Sequence, residues 1–394
     1  MSDKWHADIE KKWGKGAIKS GSEIRPRGYR GTGSIALDVA LGGGWARRSI
    51  VQCMGKEGAG KTLLFDMAAI EAQRVEGKRS LIFDFEGTYD KRRFALLGGD
   101  LDMLDVIDHE SVNRPMLFAE DAFDVVKSLF RNDSPHACIC FDSTGAMVSI
   151  HQYEAKMEGG QEKQTMYSTA RVMSEGLPII GGTLFKSPAE PTVFFISQGR
   201  DNIGGMVIRG IPPRDKQTGG RALPFFATTR VSVQKADVFK GDVSDDVTGR
   251  DEKAVEVGHK TRVSVWKNKA NRVQGRTAEF DVYNEGLFGV DRVDELAQLA
   301  IYTRVIRQAG SWYDIDPIVY GAPVVPNGEP PRDLDTQYGA SRYQGLGKVK
   351  EALSDVTMFN DIERATRKRL AEMMDSAPQA TDPLEEDDAP ADTE

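Results

Sequence analysis

A chain of 394 residues, 40% of them apolar, can bury one large core with small appendages, and no run reaches the roughly 20 apolar residues of a membrane span. The formal net charge of −8 argues against nucleic acid only until it is divided along the chain, because residues 375 to 394 carry all of it and residues 1 to 374 sum to zero. Three cysteines without metal spacing to histidine exclude a disulfide scaffold, and with no signal-peptide pattern a cytoplasmic location and no membrane partner are expected.

In chain order, "DKWHADIEKKWGKGAI" (3 to 18) predicts an amphipathic helix that ends near Gly14 and Gly16. A Gly/Arg-rich connection and "GSIALDVALGGG" follow. Then come the apolar runs "SIVQCM" (49 to 54), "SLIFDF" (80 to 85), "ACICF" (137 to 141), "TVFFIS" (192 to 197), "TRVSVQ" (229 to 234) and "TRVSVWKN" (261 to 268), separated by helical patterns. That alternation predicts βαβ units, hence an α/β fold with a mostly parallel central sheet. Beyond residue 330, "VVPNGEPPRD" has the composition of a linker. "GLGKVKEALSDVTMFNDIERATRKRLAEMM" predicts a small helical carboxy-terminal module. The tail from 375 holds Asp375, Asp382, Glu385, Glu386, Asp387, Asp388, Asp392 and Glu394 with no Lys or Arg, and is expected to be disordered. The expected division is residues 1–32, 33–275, 276–374 and 375–394.

One motif carries specific chemistry. "GKEGAGKT", Gly55, Lys56, Glu57, Gly58, Ala59, Gly60, Lys61 and Thr62, lies between an apolar strand and a helical pattern. Its glycines let backbone N–H groups face phosphate oxygens, Lys61 reaches the outer phosphates, and Thr62 can ligate magnesium, which calls for Mg2+ beside a bound polyphosphate. Asp142, at the end of "ACICFD", suits the outer sphere of that magnesium, and Glu86, after "LIFDF", suits activation of the attacking water. "TVFFIS" delivers Gln198 to its end, followed by "GRDNIGGMVIRGIPPRDKQTGGR" (199 to 221), in which five basic residues face two Asp. Such a loop suits sequence-independent phosphate contacts.

Taken in order, "WGKGAI", "GTGSIALDVALGGG", "GKEGAGKT", "IFDFEG", "CFDS", "ISQ", "TGGRALPFFAT", "VSVWKNKAN" and "GSWYDI" resemble the RecA family of DNA recombinases over residues 13 to 315. The resemblance implies a RecA-type P-loop ATPase core, residues 1–32 as an oligomerisation segment, and a filament on single-stranded DNA with ATP between subunits. It implies homologous pairing and strand exchange with duplex DNA. Lys61, Thr62, Asp142 and Glu86 match family nucleotide residues, Gln198 the γ-phosphate sensor, and Lys267 and Lys269 the lysines that reach a neighbour's ATP. Met166, Arg171, Ser174, Arg200, Ile203, Gly219, Gly220 and Arg221 match DNA-contacting positions. Arg93 stands where bacterial members stack a tyrosine on adenine, Pro178 replaces a basic residue and Pro224 an interface lysine. The 199–221 loop is about four residues longer than usual. These departures point to a divergent member, of the sort a phage genome carries. Two alternatives share the phosphate loop: a ring motor such as a helicase, and a regulatory paralogue that binds ATP without exchanging strands.

Overall fold

The computed structural model describes residues 3–24, 27–157, 168–200, 216–217, 222–241, 255–284, 288–315 and 342–376. Its centre is a nine-stranded sheet. The principal strands are β1 (Ser49–Gly55), β2 (Arg79–Asp84), β3 (Leu104–Ile107), β4 (His136–Asp142), β5 (Thr192–Arg200), β6 (Thr229–Gly241), β7 (Val255–Asn268) and β8 (Thr277–Tyr283), in spatial order β8-β7-β6-β1-β5-β4-β2-β3. The ninth, Lys216–Gln217, pairs with the end of β5. From β6 to β3 every pairing is parallel, and β7 and β8 add an antiparallel edge.

The helices are α1 (Asp3–Trp13), α2 (Ile35–Ala40), α3 (Lys61–Glu71), α4 (Lys91–Leu96), α5 (Ala119–Arg131), α6 (Ile150–Met157), α7 (Ser168–Thr183), α8 (Ala222–Phe226), α9 (Arg292–Tyr302), α10 (Leu346–Ala352) and α11 (Val356–Asp375). Side chains alternate across each strand, so Val51, Cys53, Cys138, Cys140, Phe194 and Ile196 pack with α3 on one face. Ile50, Ile139, Phe141, Val193 and Phe195 pack with α5 and α7 on the other. Covering both faces explains why these strands read as unbroken apolar runs. All three cysteines are buried and free, and burial pushes the Cys53 thiol up to about 12.

All six expected strands form, and the last three run longer than their apolar stretches. β6 and β7 extend as an antiparallel ladder whose outer part is polar, carrying Lys235, Asp237 and Lys240, so its pattern does not mark a core strand. β3 and β8 went unread, the first because it has only four residues. The carboxy-terminal module combines the expected helices with a small antiparallel sheet of β9 (Ile306–Ala309), β10 (Trp312–Ile315) and β11 (Arg342–Gln344). Its core, including Leu296, Ile306, Val349 and Ile362, also holds Ile35 of α2. Glu295 fastens it there, its buried carboxylate accepting from Ser34 Oγ at 2.6 Å and the Ile35 N–H at 2.9 Å.

Candidate active site

The parallel strands end together on one side of the sheet, where open α/β folds place their ligands. β1 runs into the phosphate loop at Gly55, whose side chain, if it had one, would lie 2.3 Å from the Val233 carbonyl oxygen. Gly58 and Gly60 hold φ of 70° and 92°, so the turn needs glycine at both. Lys61 opens α3 almost buried, and its Nζ donates back to the Lys56 carbonyl at 2.6 Å. Burial lowers its pKa, opposed by the nearby Asp142 and Glu86 carboxylates.

Thr62 Oγ1 donates to Asp142 Oδ2 at 2.7 Å. Burial is the main reason the Asp142 carboxyl is pushed up to about 6, with Glu86 and Asp84 adding to it and the Thr62 bond opposing. After β2, the buried Asp84 carboxylate accepts from the N–H groups of Glu86, Gly87 and Tyr89 at 3.1, 2.9 and 2.8 Å. That clamp folds the turn so that Glu86 projects into the cleft. Glu86 Oε1 accepts from Ser143 Oγ at 2.5 Å and from Gln198 Nε2 at 2.9 Å. Gln198 pairs in register with Gly55, so the amide and the start of the phosphate loop are neighbours across two strands.

Behind this cluster a buried polar chain crosses the sheet. Arg230 Nε on β6 donates to Gln52 Oε1 on β1 at 2.9 Å, Gln52 Nε2 donates to Ser197 Oγ on β5 at 3.2 Å, and that hydroxyl meets Thr144 Oγ1 at 3.0 Å. Ser197 precedes Gln198, and Thr144 follows Ser143.

On the other flank, Asp66 of α3 is 2% exposed, and its Oδ1 and Oδ2 accept from Tyr89 Oη at 2.9 Å and Arg93 Nη2 at 3.1 Å. Desolvation lifts its pKa to about 6, although Arg93 and Tyr89 pull the other way. Together Glu57, Gly58, Lys61, Thr62, Asp66, Asp84, Glu86, Thr88, Tyr89, Asp90, Arg93, Asp142, Ile196 and Gln198 line one cleft of about 190 Å³. The structure therefore brings the loop residues, Glu86, Arg93, Asp142 and Gln198 to one place. Sequence reasoning missed Asp66, Tyr89 and Ser143. Asp66 had a signal, being the one acid in the apolar stretch "LLFDMAA" of a helix.

Lys267 and Lys269 lie elsewhere, at the end of β7. Lys267 Nζ donates to the Pro224 carbonyl at 2.6 Å, Lys269 Nζ to that of Phe225 at 3.4 Å, and Lys269 sits 5.5 Å from the Phe225 ring centre. Pro224 is buried in α8, and Pro178 lies exposed within α7. Arg171 and Ser174 are exposed on α7, where Arg171 Nε donates to Glu175 at 2.8 Å and Ser174 Oγ to the Ala170 carbonyl at 2.8 Å. The backbone of Arg200 ends β5, paired with Lys216. Met166, Ile203, Gly219, Gly220 and Arg221 lie outside the described residues.

The cleft fits magnesium-ATP on its own geometry. Two positive-φ glycines shape a loop with N–H groups for phosphate, Lys61 stands at its end, and the Thr62 and Asp142 oxygens already converge. Among the described residues no group of three His, Cys, Asp or Glu could hold a metal unaided, so the cation would be shared with the phosphates. No helix among them is long and apolar enough to cross a membrane.

The profile of the RecA N-terminal domain matches residues 3–288. Protein RecA of Acidothermus cellulolyticus is 36% identical over 311 residues, covering 78% of this chain and 80% of that protein. Protein RecA of Chlorobaculum tepidum is 32% identical over 380 residues, or 94% and 92% of the two chains. Protein RecA of Chlorobium limicola is 34% identical over 310 residues, covering 77% and 79%. With a phosphate loop, a Glu86 and Gln198 pair and a mostly parallel sheet in the arrangement described, this chain belongs to the RecA family.

Proposed function

We propose that the protein is a DNA-dependent ATPase that assembles on single-stranded DNA as a filament, with ATP at subunit interfaces, and catalyses homologous pairing and strand exchange with duplex DNA. The observation that carries the reading is the 2.9 Å bond from Gln198 Nε2 to Glu86 Oε1. It joins the group suited to activate water to the side chain at the base of the 199–221 segment.

Bound magnesium-ATP supplies the phosphoryl group, and the cation offsets charge between its phosphates. Lys61 adds positive charge beside the outer phosphates, where it stabilises the charge of the transition state. Glu86, free of any salt bridge among the described residues, orients the attacking water and accepts its proton. The Ser143 hydroxyl holds that carboxylate in place. A terminal phosphate oxygen competes with Glu86 for the Gln198 amide, so the side chain takes one partner or the other according to nucleotide. The chain after Gln198, with its excess of basic residues, then changes its affinity for DNA phosphates.

Turnover measured with and without single-stranded DNA, together with electron microscopy of the protein with ATP and DNA, tests this reading. Stimulated turnover and filaments are expected. Rings would favour the motor, and absence of both turnover and assembly the regulatory paralogue.

A further inference from the structure

We infer that Arg93, held by Asp66, makes the base end of the cleft a hydrogen-bond donor surface that takes guanine at least as well as adenine, so the substrates are purine nucleoside triphosphates and not ATP alone. This rests on the nucleotide reading above. Lys61 and Thr62 mark the phosphate end of the cleft, and Glu86 and Gln198 its hydrolytic side. With the phosphate loop, Asp84, Asp142 and Ile196 also set aside, Thr88, Tyr89, Asp90, Arg93 and Asp66 are the part of the lining left for sugar and base.

Asp66 lies among Leu63, Leu64, Phe65, Met67 and Ala68, all buried. A carboxylate in such a place is costly unless paired. Both its oxygens are used, and both bonds run to the wall of the cleft, to Tyr89 and Arg93. Its side chain makes no hydrogen bond to the phosphate loop. Asp66 is therefore a positioning residue for the two side chains that face the base.

Arg93 gives one Nη2 bond to Asp66 and remains 43% exposed, leaving its other N–H groups to the cleft and solvent. A guanidinium fork matches two adjacent acceptors. Guanine presents N7 and O6 as such a pair, whereas adenine places the N6 donor beside N7.

The test is nucleotide affinity of the full chain without DNA, from competition of ATP and GTP against a fluorescent ATP analogue in the presence of magnesium. Wild type should bind GTP within about threefold of ATP or more tightly. A bidentate contact to guanine discriminates by roughly 5- to 150-fold, so Arg93→Lys, which keeps charge and loses the fork, should weaken GTP by at least the lower figure while ATP changes less than twofold. Asp66→Leu should act in the same direction, with circular dichroism and thermal unfolding showing that the folded state is kept. A tenfold or greater preference of wild type for ATP would overturn the inference and leave the nucleotide site intact. So would variants that weaken both nucleotides equally. Failure of wild type to bind any triphosphate would remove the nucleotide reading and the inference with it.

Discussion

The nucleotide cleft and the face made by α8 and the end of β7 are built on opposite plans. In the cleft, apart from Lys61 on the Lys56 carbonyl, side chains bond to side chains of the same chain: Thr62 to Asp142, Ser143 and Gln198 to Glu86, Tyr89 and Arg93 to Asp66. On the other face, Lys267 and Lys269 rest on the main-chain oxygens of Pro224 and Phe225, and the Phe225 ring is 70% exposed. A carbonyl oxygen fixes where an ammonium group sits, and the Phe225 ring beside Lys269 is left to solvent. On the proposed reading, the first plan prepares chemistry within one chain, and the second sets two lysines where a neighbouring chain would meet them.

The sharpest way to break that contrast is to remove one group from each side. Glu86→Gln should lower turnover by about 10²- to 10⁴-fold, the range for loss of a general base, with ATP binding retained and the loss equal at all protein concentrations. Near-normal turnover in this variant would mean that the water is activated elsewhere. Replacing Lys267 and Lys269 together by alanine should cost on the order of 10² in turnover, as for other lost electrostatic stabilisers, but only at protein concentrations where chains associate. Thermal unfolding of that variant should match wild type. An equal defect in dilute, unassembled protein would place the two lysines in their own chain's site and erase the contrast.

Gln198→Ala should still bind ATP, yet lose the difference in DNA affinity between a non-hydrolysable analogue and ADP, a coupling typically worth roughly 5- to 150-fold. Equal ratios in variant and wild type, read by fluorescence anisotropy, would make Gln198 a plain strand terminus.

The smallest effect concerns Asp66. Its carboxyl titrates at about 6 in the fold against a reference of 3.8, so ionisation opposes folding. The associated stability is fully present below pH 3.8 and is lost as pH rises to about 6. Facing it are Arg93 and Tyr89, with Asp142 farther off; Tyr89, its pKa raised by burial, stays protonated throughout. Chemical denaturation across this window should show a steeper decline for wild type than for Asp66→Leu. Parallel curves would show that Asp66 keeps an ordinary pKa.

Much of the cleft was legible because its chemistry is local. Gly55 to Thr62 form one continuous motif, and Asp142 and Glu86 each end an apolar run. The sheet was legible for the same reason wherever strands are buried on both faces. What escaped were groups whose meaning is a contact across the chain: Asp66 with Arg93, and Ser143 with Glu86. A hydroxyl after an Asp carries no periodic signal, and neither did the four-residue β3. Lys267 and Lys269 could be singled out only through the family, since two lysines at a strand end ordinarily mean solvent. Of the DNA-contacting expectations, Arg171 and Ser174 lie exposed on α7, bonded to Glu175 and to the Ala170 carbonyl.

The chain of bonds through Arg230, Gln52, Ser197 and Thr144 has a consequence for how this sequence can drift. Each member is at most 4% exposed, so no water is at hand to replace a lost partner. Gln52→Leu would strip an acceptor from a buried guanidinium and a donor from Ser197 at one stroke. Gln52→Glu keeps an acceptor for Arg230, at the expense of the donor that Ser197 receives. Substitution at position 52 should therefore travel with compensating changes at 197 or 230 among descendants of this chain, and a deep mutational scan should find the three positions tolerant in combination where each alone is not.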